Sequence, residues 1–125
     1  MAQVSTLRRQ RDFERLFQSG KRYYDNILTT VVRRRPESDQ ARVAFIVGKR
    51  VDKRAVVRNR IKRRLREAWR RQVPELPISA DVAFVAQSAS VDASFWELTA
   101  VMKAHLAQAG LLQESGSSSV AESSD

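Results

Sequence analysis

The chain has 125 residues, 42% of them hydrophobic, no cysteine and a formal net charge of +9. That length suits one domain with apolar content enough for a core, and the missing cysteines exclude disulfides, thiol catalysis and Cys-ligated zinc. No apolar run approaches the roughly 20 residues of a membrane span, and the start, MAQVSTLRRQRDF, lacks the apolar stretch of a signal peptide, so the expected setting is the cytoplasm with no membrane contact.

In chain order, Arg11 to Ser19 places Phe13, Leu16 and Phe17 at helical spacing, with Gly20 as a C-terminal cap. Tyr23-Tyr24 reads as a short strand and the β-branched run from Ile27 to Val32 as a longer one. Pro36 to Asp39 reads as a turn and Arg42 to Val47 as the next strand, closed by Gly48.

The period then becomes helical. At 100° per residue, Val57, Ile61, Leu65, Ala68 and Trp69 fall within an arc of about 120°, and cations occupy the opposite arc around Asn59. Pro74 and Pro77 end this helix. Val82 to Ala86 is a short apolar strand. Ser94 and Glu97 have capping-box spacing and open a last helix with Phe95, Leu98, Met102 and Leu106 on one face. The Ser-rich segment from Gln113 to Asp125 reads as a disordered tail behind a single domain of residues 1–112. Such an order of elements predicts an α+β fold with helices layered on one small sheet.

Charge is concentrated in one place. Lys49 to Arg71 carries 12 of the 23 Lys and Arg against two acids. Arg outnumbers Lys 18 to 5 in the chain, which favours nucleic acid over an anionic lipid surface, because the guanidinium fork pairs bidentately with phosphate and stacks on bases. Ordinary solvated helices intersperse acids, and the outward arc here has only Glu67. Chemistry points the same way. Hydrolysis of a phosphodiester by a protein calls for clustered carboxylates holding metal ions or for a histidine pair. The only histidine is His105 and the 14 acids are scattered, so a hydrolytic function has to borrow its active site from a partner.

The run Arg58-Asn59-Arg60-Ile61-Lys62-Arg63, preceded by Gly48-Lys49-Arg50 and Lys53-Arg54-Ala55, resembles the signature of the bacterial ribonuclease P protein subunit. Asp12-Phe13-x-x-Leu16-Phe17-x-x-Gly20, the strand Asp81 to Ala86 and the helix start Ser94 to Leu98 resemble further motifs of that family, in order, over about Leu7 to Leu112. The resemblance implies a two-layer αβββαβα sandwich: a small mixed four-stranded sheet, three helices and a left-handed βαβ crossover through the basic helix. It also implies a subunit of an endoribonuclease holoenzyme that binds a catalytic RNA and the 5′ leader of precursor tRNA. The RNA carries the active site and its Mg2+, while the protein has no catalytic residue and binds no metal or cofactor of its own. The free protein is expected to be monomeric.

Carried over by position, Lys49, Arg50, Lys53, Arg54, Arg58, Asn59, Arg60, Lys62, Arg63 and Arg66 are expected to contact RNA, and Phe13, Phe17 and Val31 to line the leader-binding cleft. The family often carries an aromatic on the central cleft strand, where this chain has Val31 or its neighbour Thr30. Blander roles remain open. Arg58, at the edge of the apolar arc, reads equally as a residue that caps neighbouring carbonyls. The i, i+4 spacing of Phe13 and Phe17 also suits plain core residues. Trp69 and Trp96 are expected in the core, and His105 at the surface or in packing. A structural RNA-binding protein, a self-sufficient nuclease and a helix-turn-helix regulator are the competing functions. The last fits poorly, because prolines and a strand follow the basic helix.

Overall fold

The computed structural model of the chain describes residues 3–7, 9–35, 40–72 and 79–111. The turn expected at Pro36 to Asp39, the stop at Pro74 and Pro77 and the tail from Gln113 lie outside them. Five strands and three α-helices follow in the order β1 (Gln3–Thr6), α1 (Gln10–Ser19), β2 (Lys21–Tyr24), β3 (Leu28–Arg34), β4 (Gln40–Ile46), α2 (Ala55–Gln72), β5 (Ala80–Ala86) and α3 (Phe95–Gln108). From α1 onward this is the expected αβββαβα order. Strand β1 is an addition the sequence reading lacked, because four residues are too few to display a period.

The sheet runs β1-β4-β5-β3-β2. β1 and β5 both lie parallel to β4, β3 is antiparallel to β5, and β2 is antiparallel to β3. The parallel neighbours β4 and β5 are joined by a crossover through α2, as a parallel pair requires. Side-chain alternation along the strands separates two apolar layers. On one face Val43, Val82 and Phe84 pack under Val57, Ile61, Leu65 and Trp69 of α2 and Leu98, Met102 and Leu106 of α3. On the other, Val31, Ala44 and Ala83 meet Leu16 of α1, with Phe13, Phe17 and Ile46 against them. α1 therefore stands alone on its side of the sheet.

Every member of the expected apolar arc of α2 is buried. The capping box of α3 forms in full: the Ser94 hydroxyl accepts from the Glu97 amide at 3.0 Å, and the Glu97 carboxylate accepts from the Ser94 amide at 2.8 Å. Gly20 does follow α1, but at φ −75° and ψ 154° it is extended rather than left-handed. Its glycine is explained by space, since a Cβ there would lie 2.8 Å from Val31 Cγ1 and 2.4 Å from the Leu16 carbonyl oxygen.

One expectation for a side chain changes, and one left open between surface and packing is settled as packing. Trp96 is exposed, because α3 turns its Leu98, Met102 and Leu106 side inward and leaves position 96 facing water. His105 is buried. Its Nδ1 lies 2.7 Å from the Thr30 hydroxyl on the inner strand β3, with the Tyr23 ring 6.1 Å away. Burial pushes the imidazole below its ordinary pKa, opposed by the charge of Asp25 and a hydrogen bond to the Tyr24 backbone. The unfolded chain therefore binds the proton more readily, and this contribution to stability, complete above about pH 6.5, fades as the pH falls toward the lower folded-state value. We expect the urea midpoint to drop between about pH 7.5 and about pH 5.5, and to drop by less in His105→Gln. Equal drops in both proteins would show that His105 does not carry the dependence.

Candidate nucleic-acid interface

The first part of the site is the open sheet face beside α1. Arg42 of β4 fixes that helix. Its Nε and Nη2 donate to both oxygens of Asp81 on β5, each at 2.8 Å, and its Nη1 donates to Asp12 in the first turn of α1 at 2.9 Å. Arg35 adds a contact to Asp81 at 3.5 Å. The two carboxylates raise the pKa of Arg42 against the opposing effect of burial, so the guanidinium stays charged. With α1 held there, Phe13 and Phe17 lie half-buried, their rings near-parallel at 6.4 Å between centroids.

Val31 lies on this face but is only 1% exposed. It forms the floor under α1 and Gly20 instead of offering a surface to a ligand, which corrects its expected place in the cleft lining. The accessible row is one pleat further along. Tyr24 of β2 stands opposite Thr29 of β3, Thr29 opposite Val85 of β5, and Val85 opposite Ile46 of β4. Tyr24 is 74% exposed, and two residues before it on the same face Arg22 holds its guanidinium 5.7 Å from the Phe17 ring centroid. An aromatic ring thus stands on the edge strand β2 of the cleft face, not on β3.

At the ends of β4 and β5 this row opens into a cavity of about 600 Å3 lined by Ile46, Val85, Gln87, Lys49 and Arg50 among others. The apolar floor and the basic loop before α2 are thereby continuous. In that loop Asp52 accepts from the amide and the guanidinium of Arg54 at 2.8 to 3.0 Å. The Arg54 hydrogen bonds hold the Asp52 carboxyl at about 2, well below its ordinary value. Arg58 donates to the carbonyls of Asp52 and Lys53 at 3.0 and 2.8 Å. Of its two readings, the structure supports the one in which it organises the start of α2.

The remaining candidates point outward. Lys49, Arg50, Lys53, Asn59, Arg60, Arg63 and Arg66 are exposed and Lys62 is half-buried. Arg66 lies 5.9 Å from the Phe45 ring. Glu67 pairs with Arg70 at 2.8 Å, the one acid on a face otherwise cationic. Among the described residues, no three His, Cys, Asp or Glu side chains gather where they could hold a metal ion. No described helix is long and apolar enough to cross a membrane.

The sequence alone gives no role to Arg42, Arg22 or Tyr24, and it shows Asp12 and Asp81 only as the first residues of two motifs. Asp81 could have been found, since a carboxylate in the apolar run ADVAFVA demands a cationic partner. Period-two alternation could also have placed Tyr24 on the Arg22 side of its strand.

A family model described as Ribonuclease P matches residues 1–110. The chain belongs to the ribonuclease P protein family. It is 39% identical over 113 residues to the ribonuclease P protein component of Chloroflexus aggregans, covering 90% of this chain and 82% of that one. It is 38% identical over 89 residues to that of Desulfovibrio desulfuricans, covering 70% and 68%. In fold it is similar to the ribonuclease P protein of Staphylococcus aureus, with TM-score 0.77, 21% identity and coverage of 90% of this chain and 100% of that one. The Thermotoga maritima protein gives TM-score 0.73 at 24% identity, covering 82% and 96%.

The geometry makes the Arg42 network the anchor of α1. Arg42→Met takes from the Asp81 side chain, 1% exposed, both of its 2.8 Å guanidinium bonds. We expect this to cost about 3–5 kcal/mol in urea unfolding, and Asp12→Ala to cost less because Arg42 keeps Asp81. A loss below about 1 kcal/mol for Arg42→Met would show that the network does not hold the helix.

Proposed function

We propose that this ribonuclease P protein acts as the protein subunit of the holoenzyme. In this reading it binds the catalytic RNA through the basic face of α2 and the loop before it. It holds the 5′ leader of precursor tRNA in the cleft beside α1, and it leaves bond cleavage to the RNA and its Mg2+. The observation that carries the reading is the continuity of the cleft. Two half-buried phenylalanines stand on a sheet floor that runs past Ile46 and Val85 to Lys49 and Arg50. A single strand needs both parts: apolar and aromatic faces for bases of any sequence, and cations for the phosphates between them.

The test is reconstitution. Protein, a bacterial ribonuclease P RNA and 5′-labelled precursor tRNA are combined at magnesium too low for the RNA to act well alone. Accurate 5′ cleavage is expected only with protein and RNA together; cleavage by protein alone would refute the assignment of chemistry to the RNA. In the same assay, Phe13→Ala with Phe17→Ala is expected to weaken substrates with long leaders by about 5- to 150-fold for each base left unstacked and to spare mature tRNA. Equal losses on both would make the rings core residues.

Salt dependence reads the other surface. Arg60→Ala with Lys62→Ala is expected to lower the slope of log K for the catalytic RNA against log salt by about 0.7–0.9 for each phosphate no longer neutralised. An unchanged slope would remove that face from the interface.

A further inference from the structure

The leader cleft leaves one aromatic surface without a role, and it lies on the opposite side of the sheet. Trp96, at the second position of α3, is 69% exposed. The other tryptophan, Trp69, is in the core, so this exposure is not a general property of the chain's tryptophans. Trp96 is held in place. Phe95 meets it edge-on, with centroids 5.1 Å apart and planes at 78°, and Phe95 itself packs against the main core. The Arg71 guanidinium lies 5.2 Å from the Phe95 ring and 6.0 Å from the Trp96 ring, with its Nε 3.7 Å from Glu67.

We propose that Trp96, braced by Phe95 and Arg71, is a stacking platform for an unpaired base of an RNA strand whose phosphates lie along the outward face of α2. The proposal rests on the RNA-binding reading above and adds a contact to it. Charge decides the occupant. The neighbour of the ring on α2 is the exposed Arg71, and a protein surface laid over Trp96 would have to desolvate it. A nucleotide satisfies ring and cation together, because its base offers a π-face and its phosphate a bidentate acceptor. Reach is adequate as well. Arg60 and Arg71 lie about 16 Å apart along the helix axis, so a strand anchored at the start of the basic face arrives at Trp96 within a few nucleotides.

The experiment measures binding of the intact chain to ribonuclease P RNA alone, to precursor tRNA alone and to an oligoadenylate RNA of twelve nucleotides. The native protein is compared with Trp96→Ala, Trp96→Phe and the Arg60→Ala/Lys62→Ala double variant. Because residue 96 faces water, Trp96→Ala is expected to unfold at the native urea midpoint. Its affinity for at least one RNA is expected to fall between about 5-fold and about 150-fold, with Trp96→Phe retaining most of it. The RNA that loses affinity identifies the strand. In the native protein, that RNA is also expected to quench tryptophan emission, and the quenching should disappear in Trp96→Phe. Unchanged affinity of Trp96→Ala for all three RNAs, with binding still weakened in the double variant, would overturn the platform and leave the basic face standing. Unchanged affinity in both would overturn the RNA-binding reading beneath it. Concentration-dependent self-association abolished by Trp96→Ala, with RNA affinity intact, would assign the ring to a protein contact and overturn the proposal.

Discussion

The guanidinium of Arg42 joins three separate pieces of chain, and the working side of the protein depends on it. It lies on β4, pairs bidentately with Asp81 of β5 and reaches Asp12 of α1. Without it two carboxylates would face each other beneath a helix, a costly arrangement where water is excluded. With it α1 is fixed at its N-terminal turn. At the other end Gly20 lets the chain pass so close to Val31 and Leu16 that no side chain fits. A ten-residue helix that buries little more than Leu16 and Asp12 has small apolar attachment of its own. The polar anchor and the tight exit set where Phe13 and Phe17 stand, and hence the width of the cleft.

The sheet separates two kinds of surface. On the α2 and α3 side the faces toward the strands are apolar and closed, with Phe84 and Trp69 meeting edge-on at 5.5 Å between centroids. The cations there lie on the outward face of α2. On the α1 side a single helix leaves part of the sheet uncovered, and the accessible row Tyr24, Thr29, Val85 and Ile46 is small or apolar apart from its terminal tyrosine. The two surfaces meet where β4 and β5 end, at Lys49 and Arg50. Crossovers between parallel strands put both strand ends and the loop on one edge of the sheet, which is where clefts form in such sheets. The cleft floor and the basic lead-in to α2 thus share the same loop.

Periodicity made much of this legible. The arc Val57 to Trp69 is buried and the basic arc faces out, because a helix docks by its apolar stripe whatever its partner. The capping box was readable from Ser94 and Glu97 alone, since its bonds are local. What could not be read depended on contacts distant in sequence. Arg42 and Asp81 are 39 positions apart, and nothing in either segment names the other. Val31 is apolar on a cleft-facing strand position, but its burial depends on where α1 settles. Trp96 and Trp69 have the same composition signal and opposite fates, decided by how α3 rolls onto the core. His105 and Thr30, 75 positions apart, pair because the last helix packs on β3.

One consequence joins stability to binding. Cations on α2 recur at i+3, as in Arg60, Arg63 and Arg66, and at i+4, as in Lys62, Arg66 and Arg70, with Glu67 the only acid in the helix. Each like-charged pair costs about 0.2–0.5 kcal/mol in a solvated helix. Burial of Val57, Ile61, Leu65 and Trp69 contributes about 1.5–3 kcal/mol apiece, so the apolar stripe outweighs the repulsion and holds the cations in a crowded array. A polyanion on that array neutralises the repulsion that the stripe otherwise opposes, and anything that binds only the folded state stabilises it by mass action. The charge that disfavours the free helix is therefore held already ordered by the apolar stripe. Arg58 and Asp52 extend the logic into the loop, because their bonds to the backbone and to Arg54 hold the start of α2 before any ligand arrives. Ordering that is complete in the free protein is not charged against binding.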